Sequence, residues 1–180
     1  MYGKEIKTVL ITKEEIAKRV AQLGEQISKD YRGEPITLVC TLRGASIFFA
    51  DLAREIDGDV EMDFIAVSSY GAGTSSSGEV KMVKDLSAPI KDKNVIVVED
   101  IIDTGITLNY LKKLLLARAP KSLKVCALLD KPSRRKVDFK GDYIGFEIEN
   151  EFVVGYGLDY DEKMRNLKDV CVLAPEVYGG

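Results

Sequence analysis

Three carboxylates fall within five positions of the stretch "VIVVEDIIDTGITL", at Glu99, Asp100 and Asp103. Directly after them, Thr104, Gly105 and Thr107 offer backbone N–H groups, hydroxyls and a residue that tolerates tight geometry. A turn of that kind at the start of a helix carries partial positive charge and holds a phosphate well. The acids would repel the same anion, by about 1 kcal/mol for unit charges ~4 Å apart in bulk water and by more where water is partly excluded. A ligand that separates the two roles removes the conflict. Its phosphate would rest on the turn, its vicinal hydroxyls would donate to Glu99 and Asp100, and Mg²⁺ would offset the remaining charge. A ribose phosphate has that shape.

The neighbouring elements place this bend where ligands gather. Val95 to Val98 is the most apolar run and reads as a strand that runs out at Glu99, with Leu108, Leu111, Leu114 and Leu115 marking the following helix. In an open α/β sheet, ligands collect beyond the carboxyl ends of the strands. Upstream, Thr12 and Glu15 form a capping-box pattern before Ile16, Val20, Leu23 and Ile27 at helical spacing. Ile36 to Leu42 reads as a buried strand, and Ile47, Phe48, Leu52 and Ile56 as the apolar face of a second helix. Val60 to Ser68 and Val80 to Leu86 read as a strand and its return, with Val125 to Leu129, Tyr143 to Ile148 and Val170 to Leu173 as further strands. Strands alternating with helices imply an α/β fold, a mostly parallel sheet flanked by helices on both faces. Residues 1–10 and the tail are expected to form a small hood over it.

The 180 residues fit one domain, 1–180, with a sizeable core. Hydrophobic residues make up 46% and charged residues 31%, the balance of a globular chain, and the net charge of −3 argues against a general nucleic-acid binder. Cys40, Cys126 and Cys171 each lie in apolar runs without zinc spacing, so they read as reduced core residues. There is no histidine, which removes Ser-His-Asp and Cys-His catalysis and His-based metal sites. No signal pattern or long apolar span appears, so the expectation is a cytoplasmic protein with no membrane partner.

"VIVVEDIIDTGITL" resembles the signature of type I phosphoribosyltransferases, which bind 5-phosphoribosyl 1-diphosphate. "LVCTLRGASIFFADLAREI", "VSSYGAGTSSSGEVKMVKDL", "VCALLDKPSRRKVDF" and "FVVGYGLDYDEKMRNL" resemble, in order, the hypoxanthine-guanine branch of that family and together cover nearly the whole chain. The resemblance implies the type I phosphoribosyltransferase fold and transfer of the phosphoribosyl group to a 6-oxopurine, with Mg²⁺ as cofactor. It also implies that Glu99 and Asp100 hold the ribose hydroxyls and metal, and that Asp103, Thr104, Gly105, Ile106 and Thr107 hold the 5′-phosphate. Asp103 resembles the group that handles the purine N7 proton. Lys131 resembles the residue that favours 6-oxopurines. An ammonium donates to O6 but would meet an adenine amino group donor to donor.

By the same resemblance Phe152 stacks on the base, Val153 contacts its edge through the backbone, and Asp159 is a second metal-site acid. Val154 is read as core packing. Arg43, Gly44 and Arg165 match diphosphate contacts, although many relatives carry Lys at the first of these positions and Gly in place of Ala45. Whether the Leu42–Arg43 peptide is cis is left open. Ser69 and Tyr70 are expected to close over the diphosphate as part of a lid hairpin, "SYGAGTSSSG", that shields the ribosyl centre from water. A different base (adenine, orotate, a pyrimidine) and a regulator that binds the sugar diphosphate together with RNA or DNA are the competing readings. No Walker-type G-x-x-x-x-G-K-[ST] is present. Small-molecule substrates and a homo-oligomer, dimer or tetramer, are the expected partners.

Overall fold

The computed structural model describes residues 3–69 and 80–178, with the side chains of Ser69 and Val80 excepted. In chain order its elements are β1 (Ile6–Ile11), α1 (Lys13–Tyr31), β2 (Ile36–Thr41), α2 (Ser46–Glu55), β3 (Val60–Ser69), β4 (Val80–Lys84), β5 (Asn94–Ile102), α3 (Ile106–Leu116), β6 (Ser122–Asp130), β7 (Tyr143–Glu147), β8 (Val153–Val154), β9 (Val170–Leu173) and α4 (Pro175–Tyr178). Six strands form one sheet in the order β4-β3-β2-β5-β6-β7. All neighbours in it are parallel except β3 and β4.

The central strands read as continuous apolar runs because both of their faces are covered. Ile96 and Val98 of β5 join Leu38 and Cys40 of β2 under α1 and α2. Val95 and Val97 turn the other way, with Val39 and Ile65, against Leu108, Leu111 and Leu115 of α3. The capping box forms as expected. The Thr12 hydroxyl accepts from the Glu15 amide at 3.3 Å, and the Glu15 carboxylate accepts from the Thr12 amide at 2.8 Å. Ile16, Val20, Leu23 and Ile27 are all buried. On α2 the buried face is Phe48, Phe49 and Leu52, so Phe49 replaces the expected Ile47, which is only partly buried. The three cysteines are free and buried.

The expected hood is present as a second sheet, β1-β9-β8, in which both pairings are antiparallel. Val154 is fully buried in its core with Met164, Cys171 and Leu173. One boundary differs in a way that matters for the site. β5 does not stop at Val98 but continues through Glu99 and Asp100 to Ile102. Pairing with β2 ends at Val98, whereas pairing with β6 continues to Ile102 opposite Asp130. The backbone bonds to β6 carry the charged residues along, and the acids lie where one side of the strand is no longer paired with β2. Residues 70–79, which contain Tyr70 and most of the proposed lid, lie outside the described residues. Ser69 is the last residue of β3, and its backbone is paired with Val80.

Candidate active site

Gly105 opens α3 at φ 79°, a left-handed conformation that glycine adopts without a Cβ penalty. Gly105 has no side chain with which to cap this helix, and the Thr104 hydroxyl accepts from the Ile106 amide at 3.4 Å. The first backbone bond of the helix runs from the Asn109 amide to the Gly105 carbonyl at 2.9 Å. The Ile106 amide is thus engaged by Thr104, and the amides of Thr107 and Leu108, which precede that backbone bond, are left to an outside acceptor. Glu99, Asp100, Asp103, Thr104, Gly105 and Thr107 line one cleft of about 220 Å³ at this helix end. Ile106 belongs to the same turn, but its side chain is exposed and does not line the cleft.

Burial pushes the Glu99 carboxyl well above the ordinary glutamate range, and the adjacent Asp100 charge raises it further. The buried Cys40 thiol is pushed up to about 12, chiefly by burial and then by the same two carboxylates. Asp100 abuts the diphosphate candidate Gly44 so closely that a Cβ on Gly44 would overlap its carboxylate. The Leu42–Arg43 peptide that leads into this turn is cis.

A second cavity, of about 420 Å³, shares Ile101 and Asp103 with the cleft and is also lined by Lys131, Arg134, Glu151, Phe152, Val153, Leu158, Asp159 and Tyr178. Lys131 follows the carboxyl end of β6, is buried, and donates to the Glu151 carbonyl at 2.7 Å. Desolvation lowers its pKa, and the nearby Asp103 charge partly opposes that shift. Phe152 is 37% exposed, whereas Val153 beside it is buried in β8. Asp103 is held by Arg134, whose Nε lies 3.0 Å from its Oδ1. Arg135 ties the same loop down. It donates to the Ile102 carbonyl at 2.9 Å and the Phe139 carbonyl at 3.0 Å, and also contacts the Asp103 carbonyl and the Asp130 carboxylate.

Arg165 donates to the Gly157 carbonyl at 2.8 Å and pairs with Asp159 at 2.9 Å. Arg43 pairs with Glu162 at 2.5 Å, and Arg165 reaches the same carboxylate at 3.5 Å. The two arginine candidates therefore converge on an acid that the motifs did not mark. Gly157, at φ 102°, packs against the Gly44 carbonyl and brings the two segments together. Glu162, Arg134, Arg135 and Tyr178 were missed, because their contacts with Arg43, Asp103, Ile102 and Phe152 cross long stretches of chain that local spacing does not mark. Among the described residues no group of three or more acidic, Cys or His side chains converges as a ready-made metal cage. Glu99 and Asp100 form one acidic edge, and Asp159 stands with Arg165. Another cavity of about 420 Å³, between α1, α2 and Tyr156, contains none of the sequence candidates.

The carboxyl edge of the mostly parallel sheet thus brings together an acidic strand end, a phosphate turn and the Gly44 turn. The chain belongs to the phosphoribosyl transferase domain family, which matches residues 9–161. Within it, the chain is 51% identical over 178 residues to the hypoxanthine-guanine phosphoribosyltransferase of Streptococcus thermophilus, covering 99% of both proteins. It is 49% identical over 178 residues to the hypoxanthine-guanine phosphoribosyltransferase of Bacillus subtilis, again covering 99% of each. The crystal structure of a hypoxanthine phosphoribosyltransferase from Staphylococcus aureus superposes with a TM-score of 0.94 at 47% identity, covering 98% of this chain and 96% of that one.

Proposed function

We propose that this chain transfers the 5-phosphoribosyl group of 5-phosphoribosyl 1-diphosphate to hypoxanthine, and to guanine through the same carbonyl contact, giving IMP or GMP and diphosphate. The observation that carries this reading is one continuous site: the phosphate turn and the Lys131–Phe152 cavity meet at Asp103 and Ile101. A ligand with a phosphate at one end and a flat base at the other spans the two.

The amides of Thr104 to Thr107 receive the 5′-phosphate, and Glu99 and Asp100 accept from the ribose hydroxyls. Lys131 donates to O6 of the base while Phe152 stacks on its ring and the Val153 backbone meets its edge. N9 of the purine forms the new bond to ribose C1 as the C1–oxygen bond to diphosphate breaks. Asp103 takes the proton that the base must lose, at N7. The Arg43–Gly44 turn, Arg165, Ser69 and Tyr70 attend the diphosphate, for which a guanidinium suits an oxyanion well.

Mg²⁺ fits the residues present. The Glu99 carboxyl, held above its usual range by burial first and then by the adjacent Asp100, belongs to an acidic pair whose charge a divalent cation relieves. Glu99 and Asp100 would hold it at the acidic edge, with Asp159 serving a second metal position, and when bound it would neutralise charge on the departing diphosphate. We read the chain as one domain acting in the cytoplasm, where its free cysteines stay reduced, and as a homo-oligomer of two or four copies.

An absorbance assay with the sugar diphosphate, Mg²⁺ and a panel of bases tests the reading. Hypoxanthine and guanine are expected to turn over and adenine, orotate and uracil to stay near background. Turnover of adenine above hypoxanthine would overturn it, as would RNA or DNA binding without any turnover.

A further inference from the structure

The aromatic at the end of α4 does not pack into the core. Tyr178 is 40% exposed and lies against Phe152 with ring centroids 4.9 Å apart and planes 25° from parallel, an offset stack. Both rings line the cavity that holds Lys131 and Asp103. Tyr178 is also not a loose terminus. The Tyr160 hydroxyl donates to the Val177 carbonyl at 2.9 Å, and the Tyr160 ring meets Phe152 edge-on at 5.7 Å and 83°. The contacts form a closed circuit: Phe152 to Tyr160, Tyr160 to the backbone beside Tyr178, and Tyr178 back to Phe152. Val177 packs on the hood core, and the Ala174 amide donates to the Glu5 carbonyl at 2.8 Å, which fixes α4 to β1's end of the hood.

The Phe152–Tyr178 pair lies at the candidate base cavity and not in the core. These two are left more than one-third exposed at the rim of a polar cavity.

We propose that Tyr178 is a positioning residue for the base. Stacked against Phe152, it fixes that ring's plane and adds a second aromatic to the wall that the oxopurine meets. The inference rests on the base-site reading above. Without Tyr178, the aromatic contact left on Phe152 among the described residues is the near-perpendicular Tyr160 ring. Loss of one aromatic pair corresponds to roughly a three- to tenfold change in an equilibrium constant.

The test measures initial rates with hypoxanthine and the sugar diphosphate for wild type, Tyr178→Ala, Tyr178→Phe and Phe152→Ala, each with its melting temperature. Tyr178→Ala is expected to raise the KM for hypoxanthine about three- to tenfold, with kcat and the KM for the sugar diphosphate little changed, and Tyr178→Phe to rescue it. If Tyr178→Ala leaves the base KM within twofold of wild type, or lowers it as removal of a plug would, the inference is wrong. A rise in both KM values together with a lower melting temperature would also overturn it, as a structural role. If Phe152→Ala itself leaves the base KM unchanged, the base-site reading fails and takes this inference with it. A loss in Phe152→Ala alone overturns only the role of Tyr178.

Discussion

Asp103, Lys131 and Glu99 carry the predictions that belong to single residues. Asp103→Asn keeps the shape of the side chain but removes its capacity to accept a proton. Turnover is expected to fall about 10²- to 10⁴-fold, with the KM for the sugar diphosphate moving much less; unchanged steady-state turnover would remove Asp103 from that role. Its ion pair with Arg134 is solvent-exposed on both sides, so the loss of the pair itself should have little effect on stability. For Lys131 the lowered pKa sets the sign. The ammonium loses its proton at a lower pH than an ordinary lysine, so base affinity should begin to weaken below the usual lysine range as pH rises. A pH profile of the KM for hypoxanthine measures this, and Lys131→Arg should carry the affinity to higher pH. Glu99 works the other way. Its raised carboxyl opposes folding at every pH above its folded-state pKa, and the penalty disappears below the ordinary glutamate range. Glu99→Gln should therefore melt higher than wild type at neutral pH without metal, by an amount of the order of 2–4 °C per kcal/mol relieved, and the gap should close on acidification. These three residues were legible as chemistry in the sequence. The partners of Asp103 and Lys131 were not, because Arg134 and the Glu151 carbonyl reach them across chain separations that no local pattern encodes.

At the scale of elements, the carboxyl edge of the sheet is a meeting of two glycine turns. A Cβ on Gly44 would overlap only the far end of the Asp100 side chain, which can swing away; a Cβ on Gly157 would meet the Gly44 backbone carbonyl. The two substitutions should therefore separate. Gly44→Ala is expected to fold normally and to raise the KM for the sugar diphosphate about tenfold or more, since it displaces a ligand-facing carboxylate. Gly157→Ala should cost about 1–3 kcal/mol of stability, because its φ of 102° is strained for any L side chain and its obstacle cannot move. Thermal melts and donor titrations distinguish the two. The apolar periodicities located α1, α3 and the parallel strands because burial on one stripe or on both faces leaves that mark. The end of β5 was misjudged for the converse reason: Glu99 and Asp100 look like the end of an apolar run, but their backbone pairing with β6 does not depend on side-chain polarity.

For the whole molecule, the six-stranded sheet supplies the phosphate turn and the hood region supplies Phe152, Val153 and Tyr178, so the cavity is built by residues of both. The hood was legible only as an expectation that the termini would cover the sheet. Its antiparallel pairing of β1 with β9 joins residues from opposite ends of the chain, beyond the reach of any short window. The central claim is that this junction grips a nucleotide by both ends, and its most direct test is a crystal structure of the chain with IMP and Mg²⁺. The phosphate is expected on the amides of Thr104 to Thr107, the ribose hydroxyls at Glu99 and Asp100, and O6 of the base at Lys131 Nζ beside Phe152. IMP bound with its phosphate away from that turn, or with its base away from Lys131, would contradict the account.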